Sequence, residues 1–158
     1  MDSRIGYDTD YLAWTEEQAR LLREAARERS NTPVDWEHVA EEIEGMGRSE
    51  MRAMESALVR VIEHLLKLEL SPTAAPRNGW KASVSEHRGR LRRDLKASPS
   101  LHGRVDLPDV YETARPVALY GLACDGVTEG DLPAHCPYRL EQLLDPTWWP
   151  ANRHGLEV

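Results

Sequence analysis

The chain has 158 residues, 41% of them hydrophobic and 30% charged, with 27 acids against 20 bases and a formal charge of −7. This length fits one compact domain that can build its core without metals or disulfides, and no uncharged apolar stretch approaches the roughly 18 residues that a membrane span requires. The acidic excess sets a whole-molecule field that repels nucleic acid and anionic membranes, and sustained helical periodicity argues against a disordered chain.

The opening Met-Asp-Ser-Arg-Ile-Gly-Tyr has none of the apolar run of a secretory signal. Cys124 and Cys136 are separated by eleven residues, form no Cys-x-x-Cys pair, and have only His135 beside them. Two isolated thiols and one imidazole do not complete a zinc ligand set. Both features read as a cytoplasmic protein with reduced cysteines.

No segment alternates as a strand, and the pattern reads as helix throughout. Residues 1–14 form an N-terminal arm, aromatic at Tyr7, Tyr11 and Trp14. Thr15-Glu-Glu-Gln18 has the form of a capping box. Behind it Ala19, Leu22 and Ala26 recur at helical spacing, predicting a helix over 16–29 that Ser30-Asn-Thr-Pro33 breaks. Asp35 caps a second helix with Trp36, Val39, Ile43 and Met46 on one face. Gly45 and Gly47, each costing about 1 kcal/mol in a helix relative to Ala, predict a kink or turn there, with Ser49 recapping a third helix.

That third helix, about 49–70, is the strongest signal. Met51, Met54, Leu58, Val61, Leu65 and Leu68 recur in alternating steps of three and four, and Ile62 and Leu66 widen the stripe. A face this broad belongs to the central helix of a bundle. After the loop Ser71-Pro-Thr-Ala-Ala-Pro76, a fourth helix over 79–97 turns Trp80, Val84, Leu91 and Leu95 inward. Ser98-Pro99 opens a short segment to Gly103. Pro108 opens another helix, in which Pro116 predicts a kink or an end. Residues 124–133 read as loop, and Pro137 begins a last short helix before a tail over 146–158. The expected fold is therefore all-α: a single-domain helical bundle over 1–158 with a central hydrophobic helix and short C-terminal helices.

The order of landmarks is informative. Tyr7-Asp-Thr-Asp-Tyr-Leu-Ala-Trp-Thr-Glu-Glu-Gln-Ala-Arg-Leu-Leu22 is followed by Asp35-Trp-Glu-His-Val-Ala-Glu-Glu-Ile-Glu-Gly-Met-Gly-Arg-Ser-Glu50. His64-Leu-Leu-Lys67, Ser98-Pro-Ser-Leu101 and Cys136-Pro-Tyr-Arg-Leu-Glu-Gln-Leu-Leu-Asp145 complete the set. Together they resemble the bacterial family catalogued as domain of unknown function 29, over nearly the whole chain. The resemblance implies an all-helical domain in a prokaryotic cytoplasm and implies no activity. Pro116 and the 103–108 stretch depart from the smoother helix expected there.

Placing the titratable groups at 100° per residue sets Glu37, Glu41 and Glu44 away from the apolar face of the second helix, with Glu42 on its border and His38 on the same flank. His64 edges the stripe of the third helix, His87 flanks the fourth, and Arg88 falls inside its apolar sector. Glu42, His64, His87 and Arg88 are thus the candidate catalytic residues, and His38, Glu42, His64 and His87 the candidate metal ligands. Bundle di-metal sites use Glu-x-x-His on two helices; only Asp35-x-x-His38 comes near that spacing, and no cofactor is implied. The reading favoured over such a site is a structural polar layer in which Arg88 pairs with Glu42 and the histidines are hydrogen-bonded boundary residues, since a lone buried ion costs several kcal/mol.

The run from Arg77 to Lys96 holds seven bases against Glu86 and Asp94, an asymmetry that can mark a nucleic-acid face, although these bases point to different sides of the helix. No nucleophile elbow or phosphate-binding loop is present. Tyr7, Tyr11, Trp14, Trp36, Trp148 and Trp149 lie near the ends of elements, where any left exposed together mark a partner surface. The favoured reading is an interaction module with a protein partner or with itself, without membrane contact. A bundle-core enzyme or metal protein and a nucleic-acid binder through 77–96 are the alternatives.

Overall fold

The stripe that begins at Met51 belongs to a longer helix than its periodicity predicts. The computed structural model describes residues 5–28 and 32–157. Its helices are α1 (Tyr11–Arg27), α2 (Trp36–Leu70), α3 (Arg77–Ala97), α4 (Leu107–Leu122) and α5 (Leu140–Leu144), with 3-10 turns at Pro99–Arg104, Ala123–Asp125 and Glu129–Asp131. No strand occurs among the described residues. The second and third expected helices are therefore one continuous α2 of 35 residues. Ser49 caps nothing: its hydroxyl donates back to the Gly45 carbonyl at 3.0 Å, an i−4 bond compatible with an unbroken helix.

Packing divides the chain into two compact units, one drawn from Met1–Met54 and Arg93–Arg104, the other from Glu55–Arg92 and Val105–Val158. In the first unit α1 lies antiparallel to the opening half of α2. Arg23 reaches Glu37 at 3.1 Å and Glu44 at 2.8 Å, while Leu12 and Thr15 meet Gly47 at the other end of the pair. A Cβ at position 47 would overlap the Thr15 hydroxyl and a Leu12 methyl. The glycine is there for close approach of two helices, which offsets its poor helix propensity.

Helix α1 also begins earlier than expected. Its N-cap is Asp10, whose carboxylate accepts from the Ala13 N–H at 3.0 Å. Thr15, fully buried, donates instead to the Leu12 carbonyl at 2.7 Å, so the capping-box form at 15–18 goes unused. The expected end at Arg29 and the break at Ser30 and Asn31 lie outside the described residues. Asp10 does more than cap. It accepts from the Ser100 N–H at 2.7 Å and the Ser100 hydroxyl at 2.8 Å, and the buried Ser98 hydroxyl accepts from the Leu12 N–H. The start of α1 is thus pinned to the turn that follows α3. Asp10→Ala removes the cap and both serine bonds, and we expect a loss of about 2 kcal/mol in urea unfolding, with Asp10→Asn retaining part of it.

In the second unit the expected spine is realised. Leu58, Val61, Ile62, Leu65, Leu66 and Leu68 of α2 are all fully buried. They are joined in the core of this unit by Val84 and Leu91 of α3, by Val110, Tyr111, Ala114, Ala118 and Leu122 of α4, and by Leu143 of α5. Helix α4 carries Pro108 in its first turn, as expected. Pro116 does not end it; proline and Glu112 are both exposed, so the carbonyl left without a donor is open to water. The stretch read as loop over 124–133 contains two short 3-10 turns, and α5 begins at Leu140 rather than Pro137. The tail closes the C-terminus of α2. The Asn152 amide donates to the carbonyls of Leu68 and Ser71 at 2.8 and 2.9 Å, and Arg77 to that of Leu68 at 3.0 Å, taking up carbonyls that have no partner within the helix.

Candidate functional site

The antiparallel pair in the first unit has two unlike sides. One side is charged, where Arg23 joins Glu37 and Glu44, and Arg48 joins Glu44 at 3.3 Å. The opposite side follows from helical spacing: Tyr11, Trp14, Leu21 and Leu22 on α1, and Val39, Ile43 and Met46 on α2. The inward face of this part of α2 is carried by Ala40 and Gly47. Val39, expected beside the core, is 40% exposed, and Met46 is 48% exposed. The face is rotated from the one predicted because the small residues, not the large ones, meet α1.

The aromatic residues gather at the end of this side where α1 begins. Tyr7 stands edge-on to Tyr11 and to Trp14, with ring centroids 5.3 and 4.9 Å apart, and Tyr11 stacks on Trp14 at 6.1 Å. Burial pushes the Tyr11 hydroxyl above its ordinary pKa, and Tyr7 and Glu50 add to the shift, so it remains a neutral phenol. Edge-to-face packing of this kind stabilises beyond area burial alone, by about 0.5–1.5 kcal/mol per pair.

A family model described as domain of unknown function DUF29 matches residues 6–149. The chain belongs to this family. An α-helical protein of unknown function from Rhodospirillum rubrum, solved by crystallography, has the same fold with a TM-score of 0.80 and 28% identity, over 91% of this chain and 92% of that one. No curated protein matches the chain significantly. The landmarks that carry the DUF29 resemblance fall into place by unit. Tyr7–Leu22, Asp35–Glu50 and Ser98–Leu101 supply the aromatic cluster, Asp10, Thr15, Gly47, Ser98 and Ser100 of the first unit; His64–Lys67 and Cys136–Asp145 lie in the second.

His38, His64, His87 and Arg88 each have partners other than one another. Glu42 is exposed on α2. His38, also exposed, places Nδ1 2.6 Å from Asp35, which raises its pKa. In the second unit the His64 Nδ1–H donates to the Arg60 carbonyl at 3.0 Å and that of His87 to the Ser83 carbonyl at 2.8 Å. Each ring is thus held by its own helix. Arg88 is 1% exposed, and its partners are carbonyls rather than the expected Glu42 carboxylate: Nε donates to Leu143 at 2.9 Å, Nη2 to Gln142 at 2.8 Å and Nη1 to Trp148 at 2.9 Å. The Trp149 ring lies 5.0 Å from the guanidinium carbon. Desolvation pulls its pKa down to about 10, which leaves it charged at neutral pH. Among the described residues, no group of three or more His, Cys, Asp or Glu is arranged to hold a metal ion. Burial pushes the Cys136 thiol up, away from the reactive thiolate.

Sequence reasoning missed a buried ion network in the second unit. Glu63, 4% exposed, accepts from Lys67 at 2.6 Å and from Arg60 at 2.8 Å. Burial raises its pKa, but the two hydrogen bonds outweigh it and hold the carboxyl below its usual range. In the same unit, the buried Tyr138 donates to Glu69 at 2.7 Å. The i,i+4 spacing of Glu63 and Lys67 was readable, but not that it is buried. His64 beside this network is lowered, mainly by burial. A lowered histidine takes up protons first in the unfolded state, so its stabilisation is full above pH 6.5 and lost as pH falls. The Glu63 contribution has the same sign, present above about pH 4.5 and lost in more acid solution. We expect urea midpoints to decline in two stages on acidification, with His64→Gln removing the upper stage only.

The basic helix is less of a surface than its composition implied. Arg77 and Arg88 are buried, so two of its seven bases serve the interior. No helix among the described residues is long and apolar enough to cross a membrane.

Proposed function

We propose that the chain is a protein-interaction module and that the apolar side of the α1–α2 pair in the first unit is its docking surface. The observation that carries this reading is the distribution of exposed large apolar side chains. Of the seven among the described residues, Ile5, Tyr7, Leu21, Val34, Val39 and Met46 lie in the first unit, and only Tyr120 lies in the second. Single exposed apolar residues need no explanation, but Leu21 of α1 and Val39 and Met46 of α2, with Tyr7 beside the start of α1, share the apolar side of the pair, and such a group marks a surface that a partner covers. Two parallel apolar ridges fit the apolar face of an amphipathic helix, read at i, i+3, i+4 and i+7.

Peptide selection tests this. A displayed library of helical peptides is panned against the full chain, and the enriched peptides are measured against Val39→Glu/Met46→Glu and against Tyr120→Ser. The expected result is at least about a tenfold loss of affinity in the first variant, as for an anchor residue removed from an interface, with no change in the second. Failure to enrich any peptide, or peptides indifferent to Val39 and Met46, contradicts the reading.

A further inference from the structure

The aromatic end of the docking surface is also a pocket. The backbone N–H groups of Thr9 and Asp10 both donate to the Gly6 carbonyl, at 3.0 and 3.2 Å, and this turn folds Tyr7 back over α1. The result is a concavity of about 360 Å³ lined by Tyr7, Asp8, Tyr11, Glu50 and Ala97. All five belong to the first unit. Two acidic residues and two tyrosines line the same space, and no base lines it among the described residues.

The lining chemistry selects the occupant. Two carboxylates repel an anion and attract a cation. Ring faces add attraction through their quadrupole, most strongly for a cation that gives up water readily. A compact metal ion is the poorer fit, because it wants several oxygen ligands converging at short range, and no such group is present among the described residues. A guanidinium fits better. It is planar, weakly hydrated, stacks on aromatic rings and donates in-plane hydrogen bonds to carboxylates. We propose that this pocket seats an arginine side chain presented by the protein partner, the guanidinium plane lying on one ring of the perpendicular Tyr7–Tyr11 pair and Asp8 and Glu50 taking its edges. The proposal rests on the interaction-module reading, since the pocket continues the apolar side on which the partner lies.

The test is a titration of the full chain with N-acetyl-arginine amide, followed by NMR of the Tyr7 and Tyr11 ring protons, with N-acetyl-glutamine amide at equal ionic strength as the control. Saturable shifts with the arginine compound alone are expected. Affinity should fall about tenfold in Asp8→Asn/Glu50→Gln as charge-assisted bonds are lost, and comparably in Tyr7→Leu, a substitution at an exposed ring that keeps the apolar volume. Equal shifts with the glutamine compound, or undiminished affinity in both variants, overturns the proposal. The two readings fail separately. Peptides that dock on Val39 and Met46 without any arginine response remove the pocket and leave the module; arginine binding with no selectable peptide overturns the partner-borne arginine and removes the module reading with it.

Discussion

Replacing Arg88 by leucine lowers stability by at least about 3 kcal/mol, read as a shift of the urea midpoint at constant slope. The side chain is almost completely buried, and three of its nitrogens are tied to the carbonyls of Gln142, Leu143 and Trp148. Leucine restores apolar volume but leaves three carbonyls without donors, each costing about 1–3 kcal/mol when shut away from water. Lysine retains the charge but not the planar fork, so it should recover only part of the loss. Glu42→Gln, at an exposed position, should change stability by less than about 0.5 kcal/mol. Equal effects of Arg88→Leu and Glu42→Gln would restore the ion pair that helical spacing predicted. Arg88 thus acts as a clasp. It holds α5 and the Asp145-Pro-Thr-Trp-Trp149 segment against α3, and its loss should expose the Trp148 and Trp149 fluorescence to solvent.

The second large effect is expected at Gly47. Valine there should cost about 3 kcal/mol by overpacking, because its Cβ already overlaps Thr15 and Leu12 before the methyl groups are added. Alanine should cost less, about 1–2 kcal/mol, since it returns about 1 kcal/mol of helix propensity. Gly45 is the internal control. A Cβ there meets only the far end of Arg48 at 3.5 Å, so Gly45→Ala should be neutral or stabilising. A helix that breaks at 45–47 would show the two alanine variants behaving alike.

These two residues also show what was legible in the sequence. The Met51–Leu68 stripe could be read because a three-four periodicity that long has one physical meaning, a helix buried along one broad face. Gly47 could not, since low propensity marks both a break and a close crossing, and only the partner helix decides between them. Arg88 was rightly placed in an apolar sector, yet a pattern of side chains says nothing of backbone carbonyls some 55 residues away in sequence. Thr15 was the expected cap because the capping-box pattern is local, whereas the actual cap, Asp10, is held by Ser100 from across the first unit. At the candidate site, Val39 and Met46 were identified as apolar and assigned inward. A helix that faces a partner and one that faces a core carry the same amphipathic pattern, so exposure was invisible. The aromatic residues Tyr7, Tyr11 and Trp14 were visible as a group; the carboxylates of Asp8 and Glu50 beside the two tyrosine rings were not, because they come from different elements.

The claim on which the functional reading depends is that the apolar side of the first unit serves something other than folding. Urea unfolding of Val39→Glu/Met46→Glu tests it most directly. A surface kept apolar for a partner predicts a midpoint within about 0.5 kcal/mol of the parent chain for each site, alongside the loss of peptide binding. A drop of 2 kcal/mol or more would mean that the chain itself covers these side chains, and the docking surface would not exist.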